Sequence, residues 1–312
     1  MTETEKIAEC ELTGRRVVVT GATGFIGDYV RRRLIGLGAK VTSTTRNAVI
    51  LHDSEWVRAD LLDKSVLESI LESTNADLVF HLASPVDPSR DDTLIPIMEL
   101  GVVETTNTVA AACLSKGVRL VVAGTCEEYG TSLAPFTEDT KPSPVSPYSL
   151  AKAKMTRSIL AASQESGLRA TVVRPFLTYG PGQKSSRLIP SAIRAALNGR
   201  TFEMTSGLQT REFNYITDIG DGIIASATEA AVGQIINIGG GEELSIIDVV
   251  RRIYTLCGSD LSLIRTGALE TRSGEVSRFY GEHSKASSLL GHTPKIDLDE
   301  GLRATIAWWR DQ

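Results

Sequence analysis

Residues 17–30 read VVVTGATGFIGDYV, a β-branched apolar run that passes through Gly21, Gly24 and Gly27 into a segment with helical spacing. Glycine at these points permits a tight turn, close approach of backbone to a pyrophosphate, and tight packing of the helix on its strand. The start of the helix offers free amides and the positive end of its dipole to an anion. A dinucleotide is therefore expected on this turn, lined by Thr23, Phe25 and Ile26 together with the three glycines. A glycine triplet alone is a weak signal, and its place between strand and helix gives it meaning. The spacing is GxxGxxG, not GxGxxG.

Outward from the turn, short β-branched runs alternate with helical patterns. RRVVVT (15–20), KVTSTT (40–45), DLVFHLAS (77–84), VRLVVAGT (118–125) and LRATVVRP (168–175) read as compact strands separated by longer helix-like segments. That order implies an α/β protein: a Rossmann-type doubly wound parallel sheet covered on both faces. Beyond Pro175, breaks at YGPGQ, NIGGGEE and GHTP loosen the rhythm. We expect residues 1–175 to form the dinucleotide-binding domain and 176–312 a smaller C-terminal α/β substrate lobe, with some later segments returning to the sheet.

The bulk numbers narrow the function. At 312 residues the chain is long enough for a large domain with a smaller lobe. A net charge of -5 argues against nucleic acid as a partner. The four cysteines, Cys10, Cys113, Cys126 and Cys257, lack CxxC spacing, and His52, His81, His283 and His292 lack ligand spacing, so neither a disulfide framework nor a metal is expected. The N-terminal MTETEKIAEC has no signal-peptide character and no run approaches a membrane span, which predicts a cytoplasmic protein with no membrane partner.

The second strand ends in VTSTTRN, about 18 to 20 residues past the last glycine, where NAD-binding sites carry an acidic residue for the ribose hydroxyls. Thr45 and Arg46 stand there instead. A guanidinium at that place predicts NADP, with NAD as the alternative, because it pairs with a 2′-phosphate; a solvated surface arginine is the plainer reading. Asp60, leaving WVRAD, is placed either to accept from the adenine amino group or to cap the next helix. Further on, PYSLAKAK sets Tyr148 and Lys152 four apart, on one face of a helix. A cation near the phenol lowers its pKa and makes it a usable acid or base.

TGATGFIG, DLVFHLAS, TCEEYG, YSLAK, RPFLTYGPGQ, REFNYITDIGDG and INIGGGEELSI, in this order, resemble the extended short-chain dehydrogenase/reductase family acting on nucleotide sugars. The resemblance implies a nicotinamide cofactor, a nucleotide-sugar substrate and a homodimer formed through two long helices. It gives Tyr148 the role of acid/base and Lys152 that of its partner, with Thr125 as hydrogen-bonding hydroxyl and Glu127 beside them. It assigns Leu61, Leu82, Ala83, Ser84 and Pro175 to the cofactor, and Ser84, Thr125, Arg187, Arg211 and Arg272 to the substrate. Family 4,6-dehydratases read Thr-Asp-Glu or Thr-Ser-Glu where this chain has Thr125-Cys126-Glu127, and a neutral thiol is a poor stand-in for a carboxylic acid. TCEEYG is closer to the SSEEYG-like segment of 4-keto-6-deoxyhexose nucleotide reductases, on which Glu127 orients sugar hydroxyls and Glu128 and Cys126 are structural. Leu177 and Gly101 depart from asparagines common in relatives. These residues predict an NADPH-dependent 4-ketoreductase, with a 4,6-dehydratase or 4-epimerase as the alternative, and the intact Thr-Tyr-Lys set argues against a non-catalytic sensor.

Overall fold

The computed structural model describes residues 12–46, 55–240, 242–271 and 274–312. Its centre is a seven-stranded parallel sheet. In chain order the first six strands are β1 (Arg16–Thr20), β2 (Lys40–Thr45), β3 (Glu55–Arg58), β4 (Leu78–His81), β5 (Arg119–Ala123) and β6 (Ala170–Pro175). Across the sheet the order is β3-β2-β1-β4-β5-β6, and the strand Ile235–Ile238 extends it beyond β6. The order in which strands are added switches from one side of β1 to the other at the β1–β4 pair, which opens a crevice at the carboxyl ends of those strands. The glycine turn leaves β1 at that crevice.

Both faces are covered, which is why the central strands β1, β4, β5 and β6 are buried along nearly their whole length instead of alternating. One core joins Val18, Val79, Leu120 and Val122 to the helices Lys64–Ser73, Thr105–Lys116 and Pro147–Ser166. The other joins Val17, Val19, Phe80 and Val121 to the helices Phe25–Gly36 and Ile216–Ala225. β3 was not among the predicted strands. It is four residues at the sheet edge with only partly buried side chains, so EWVR lacks the apolar run that betrays its neighbours.

Side-chain caps decide where two of the covering helices begin. Asp63 caps Lys64–Ser73 by accepting from the amides of Ser65 and Val66, at 2.9 and 3.2 Å. Ser146 caps Pro147–Ser166, accepting from Ser149 N, with Pro147 in the first turn where its missing N–H costs nothing. The segment after β6 forms a third core from the helices Leu188–Leu197, Ile246–Cys257 and Leu298–Arg310. From it, residues 216–238 return to the sheet. Among the described residues no helix is long and apolar enough to cross a membrane, and no cluster of His, Cys, Asp and Glu is arranged to hold a metal.

Candidate active site

The turn after β1 has the shape a pyrophosphate needs. Gly21 sits at φ +72°, and a Cβ on it would lie 2.5 Å from Ala83 N; one on Gly27 would lie 2.1 Å from the Gly21 carbonyl oxygen. Backbone of β1, the post-β4 loop and the helix start therefore meet without intervening side chains. Gly24 begins the helix Phe25–Gly36 without a side-chain cap, so its first amides stay directed at the crevice. This cradle fits a dinucleotide. Thr23 is exposed while Phe25 and Ile26 are partly buried beside it.

Behind the turn, Thr20 Oγ1 lies 2.7 Å from His81 Nδ1, and His81 Nε2 lies 3.0 Å from Thr106 Oγ1. Full burial, with the nearby Lys152 charge, pulls the imidazole down to about 3 and keeps it neutral. No sequence pattern singled out this chain of groups, because its members lie on three separate elements.

Leu82, Ala83 and Ser84 follow β4 at the crevice, and Ser84 Oγ donates to Pro85 O at 3.0 Å. Pro175 ends β6. Thr45 ends β2, and Arg46 follows it with its side chain exposed. Asp60 is exposed and accepts from Leu62 N at 3.0 Å, next to the partly buried Leu61. Of its two readings, capping falls to Asp63 three residues on.

The three residues of the proposed chemistry come together between β5 and the helix Pro147–Ser166. Thr125 closes the strand end as the cap of the short turn Cys126–Tyr129. Tyr148 and Lys152 are 6% and 4% exposed, and Lys152 Nζ lies 5.9 Å from the Tyr148 ring centroid. The Thr125 side chain acts on the Tyr148 phenol in the direction that lowers its pKa. The expectation of a lowered phenol pKa does not hold for this arrangement: burial, with Glu127 next, pushes Tyr148 above the usual range, and the Thr125 hydroxyl only partly offsets this. Desolvation also pulls Lys152 down to about 8. Its ammonium donates to Ala123 O at 2.6 Å, which fixes it beneath the ring.

The TCEEY turn separates into two fates. Glu127 faces a cavity of about 770 Å³, and burial pushes its carboxyl up against the lowering pull of Arg187 and Arg211. Cys126 instead packs into an aromatic cluster with Tyr129, Phe136, Phe176 and Phe279. There burial, followed by the charge of Glu127, pushes its thiol far above the ordinary value. Glu128 is fully buried against Arg174.

The same cavity is lined by Asp87, Ser89, Arg90, Leu177, Arg211, Glu275 and Phe279. Arg211 Nη1 donates to Thr210 O and Val276 O, at 2.7 and 2.9 Å, and its guanidinium pairs with Glu275. Burial lowers its pKa, against Glu275. Arg187 is exposed at the start of the helix Leu188–Leu197 and does not line the cavity wall. Arg272 lies outside the described residues. Asp87, Ser89, Arg90 and Glu275 were missed by sequence reasoning. PVDPSRDD does follow β4 at the crevice of the sheet, and that position was the available signal. Gly101 lies in the π-helical turn Glu99–Glu104, where a Cβ would come within 2.8 Å of Pro85 Cγ. An asparagine there would have to displace the proline.

Comparison with known proteins agrees with this geometry. The sequence model of the NAD dependent epimerase/dehydratase family matches residues 17–239. A dTDP-glucose 4,6-dehydratase of Streptomyces griseus is 32% identical over 94% of this chain and 93% of its own length. A UDP-N-acetyl-alpha-D-glucosaminuronate decarboxylase of Bacillus cytotoxicus is 28% identical over 95% of this chain and 98% of its own. Among solved structures, MoeE5 in complex with UDP-glucuronic acid and NAD aligns with a TM-score of 0.85 at 32% identity, covering 95% of this chain and 99% of that one. With its glycine turn, its Thr-Tyr-Lys set and these matches along nearly the whole chain, the protein belongs to the NAD dependent epimerase/dehydratase family and is an enzyme of the extended short-chain dehydrogenase/reductase type.

Proposed function

We propose that the enzyme transfers hydride at C4 of a nucleotide-linked hexose without eliminating water, acting as a 4-ketoreductase on a 4-keto-6-deoxy sugar. One observation carries this reading: Cys126, at the place of the dehydratase acid, is 2% exposed and held as a neutral thiol among aromatic rings. Elimination needs a base beside the ketone and help for the departing hydroxyl, and where the family's dehydratases carry Asp or Ser, Cys126 is turned into the aromatic cluster. Within TCEEY only Glu127 faces the cavity. Ketone reduction has no such need.

A reduced nicotinamide, when bound, supplies the hydride for the carbonyl carbon. Tyr148, its phenol held protonated by burial and by Glu127, gives a proton to the C4 oxygen. The Thr125 hydroxyl donates to the same oxygen, and the Lys152 charge stabilises the phenolate left behind. Arg211, already braced by two carbonyls, is the group for the substrate diphosphate, and Glu127 accepts from sugar hydroxyls. Arg46 favours NADP. The half-exposed Ile95, Ile97, Leu100 and Leu150, on the segment before Thr105 and on the helix Pro147–Ser166, supply an apolar face for a homodimer.

The second reading is a redox-neutral 4-epimerase or 4,6-dehydratase that retains NAD, favoured by the activities named for the relatives. Incubating the purified protein with NADPH and a nucleotide-linked 4-keto-6-deoxyhexose separates the two. Stoichiometric NADPH consumption supports reduction. Conversion of a nucleotide hexose with no added reductant supports the second reading.

A further inference from the structure

Glu128 is an unusual residue to find 0% exposed beside a catalytic hydroxyl. Its Oε1 accepts from the backbone N–H of Thr125 at 2.9 Å, while its Oε2 takes Arg174 Nε and Nη2 at 3.1 and 2.6 Å. The guanidinium is itself 1% exposed and stacks 4.6 Å from the Tyr129 ring centroid. Tyr129 in turn donates to Asn237 Oδ1 at 2.6 Å, on the strand that returns to the sheet. Gly124 makes room for the carboxylate, since a Cβ there would lie 2.6 Å from Glu128 Oε1. The site is tied at both ends. Replacing such a pair by apolar groups of the same volume often costs no stability, so stability alone does not account for it.

We infer that Glu128 and Arg174 are positioning residues for the reaction: the carboxylate fixes the Thr125 backbone, and with it the hydroxyl that meets the reacting oxygen. The chain of contacts runs from Arg174 on β6, through Glu128, to the end of β5, so two neighbouring strands set the height of Thr125 above the sheet. A second consequence is electrostatic. Glu128 raises the proton affinity of Lys152, opposing the desolvation that lowers it. The other groups facing Lys152 are neutral His81, the Tyr148 ring and the Ala123 carbonyl. Those facing Tyr148 are Thr125, Cys126, Glu127 and Glu128.

The inference rests on Thr125, Tyr148 and Lys152 being the catalytic set, and Tyr148→Phe tests that separately. Glu128→Gln keeps the shape and removes the charge. In it we expect kcat for NADPH-dependent ketone reduction to fall by about 10- to 100-fold, the loss a small misplacement of a reacting group produces, with KM for the nucleotide sugar unchanged. By Nζ-directed NMR, assigned with Lys152→Met, the Lys152 ammonium should lose its proton at lower pH than in the parent protein. That readout needs no substrate. Arg174→Lys keeps the charge but not the fork; it should lower kcat with a smaller change in the Lys152 titration, and it decides the matter if Glu128→Gln does not fold. A folded Glu128→Gln, or Arg174→Lys where that variant must decide, with parental kcat and parental Lys152 titration overturns the inference. Loss of activity in Glu128→Gln with full activity in Tyr148→Phe overturns the catalytic assignment instead.

Discussion

Tyr148 and Lys152 are buried close together, and each resists its charged form for the same reason, desolvation. For the phenol this is useful in the reductive direction, because it stays protonated until the alkoxide develops. Tyr148→Phe should therefore lower kcat by about 10² to 10⁴-fold while calorimetric affinity for a nucleoside diphosphate stays unchanged; a retained kcat removes the acid from the mechanism. For the ammonium, a lowered pKa means that the charge is present below about 8 and lost above it. Activity should accordingly fall as pH rises through that value, and a flat profile to pH 10 means that the charge of Lys152 is not required. Arg46, exposed just beyond β2, is the residue on which, with Thr45, the proposed NADP preference rests. Arg46→Asp should raise KM for NADPH by more than tenfold, the scale of a lost charge-assisted pair, and leave KM for NADH nearly unchanged; equal effects on both dissolve the NADP assignment. The spacing of Tyr148 and Lys152 and the glycine triplet were readable because each lies within one element. The split between Cys126 and Glu127 depends on residues 136, 176 and 279, distant in sequence, which hold the thiol in an aromatic cluster.

At the scale of elements, the turn between β1 and its helix is the most demanding join in the fold. Gly27→Ala puts a methyl 2.1 Å from the Gly21 carbonyl, so dinucleotide binding should be lost together with part of the thermal stability; unchanged coenzyme affinity means that the turn is not the phosphate cradle. A second join lies between the lobe and the sheet. Glu212 is 1% exposed and accepts from Gly240 N, Gly281 N and Asn214 Nδ2 at 2.9 to 3.0 Å, with His283 Nε2 at 2.9 Å. Although burial raises its pKa, the His283 bond and the backbone donors together hold the carboxyl below its ordinary value. A depressed carboxyl stabilises the fold above its unfolded pKa of about 4.3, and that contribution is lost as pH falls through the folded value. Glu212→Gln should thus lower stability at pH 7 by about 2 kcal/mol or more, the cost of weakening bonds to a buried charge, and should flatten the acid limb of Tm against pH. An acid limb unchanged from the parent contradicts that role. This clasp was not legible, because REFNY and GEHS lie about 70 residues apart and nothing in either says that the other packs against it. The strand Ile235–Ile238 escaped assignment for a related reason: a short apolar run says nothing of which sheet it joins.

For the molecule as a whole, sequence was most informative where the chain obeys a repeating rule. Five of the seven sheet strands follow from β-branched runs separated by helical spacing, and parallel topology follows from the crossovers. The cavity was least legible, since its walls come from the post-β4 loop, the TCEEY turn, Leu177, Arg211 and residues 275–279. Only folding brings them together. The exposed apolar face around Leu100 and Leu150 predicts a two-fold dimer. Sedimentation at micromolar concentration should give twice the 33.6 kDa chain mass, and Leu100→Glu should yield monomer; a monomeric parent protein removes the dimer proposal. The central claim is hydride transfer to a sugar C4 under the control of Tyr148, and isotope tracing tests it most directly. The purified protein is given nicotinamide-C4-deuterated NADPH and a nucleotide-linked 4-keto-6-deoxyhexose, and the product is read by NMR. The account predicts deuterium at sugar C4 in the parent protein and none formed by Tyr148→Phe; a product without deuterium at C4, or labelling that survives the loss of the phenol, contradicts it.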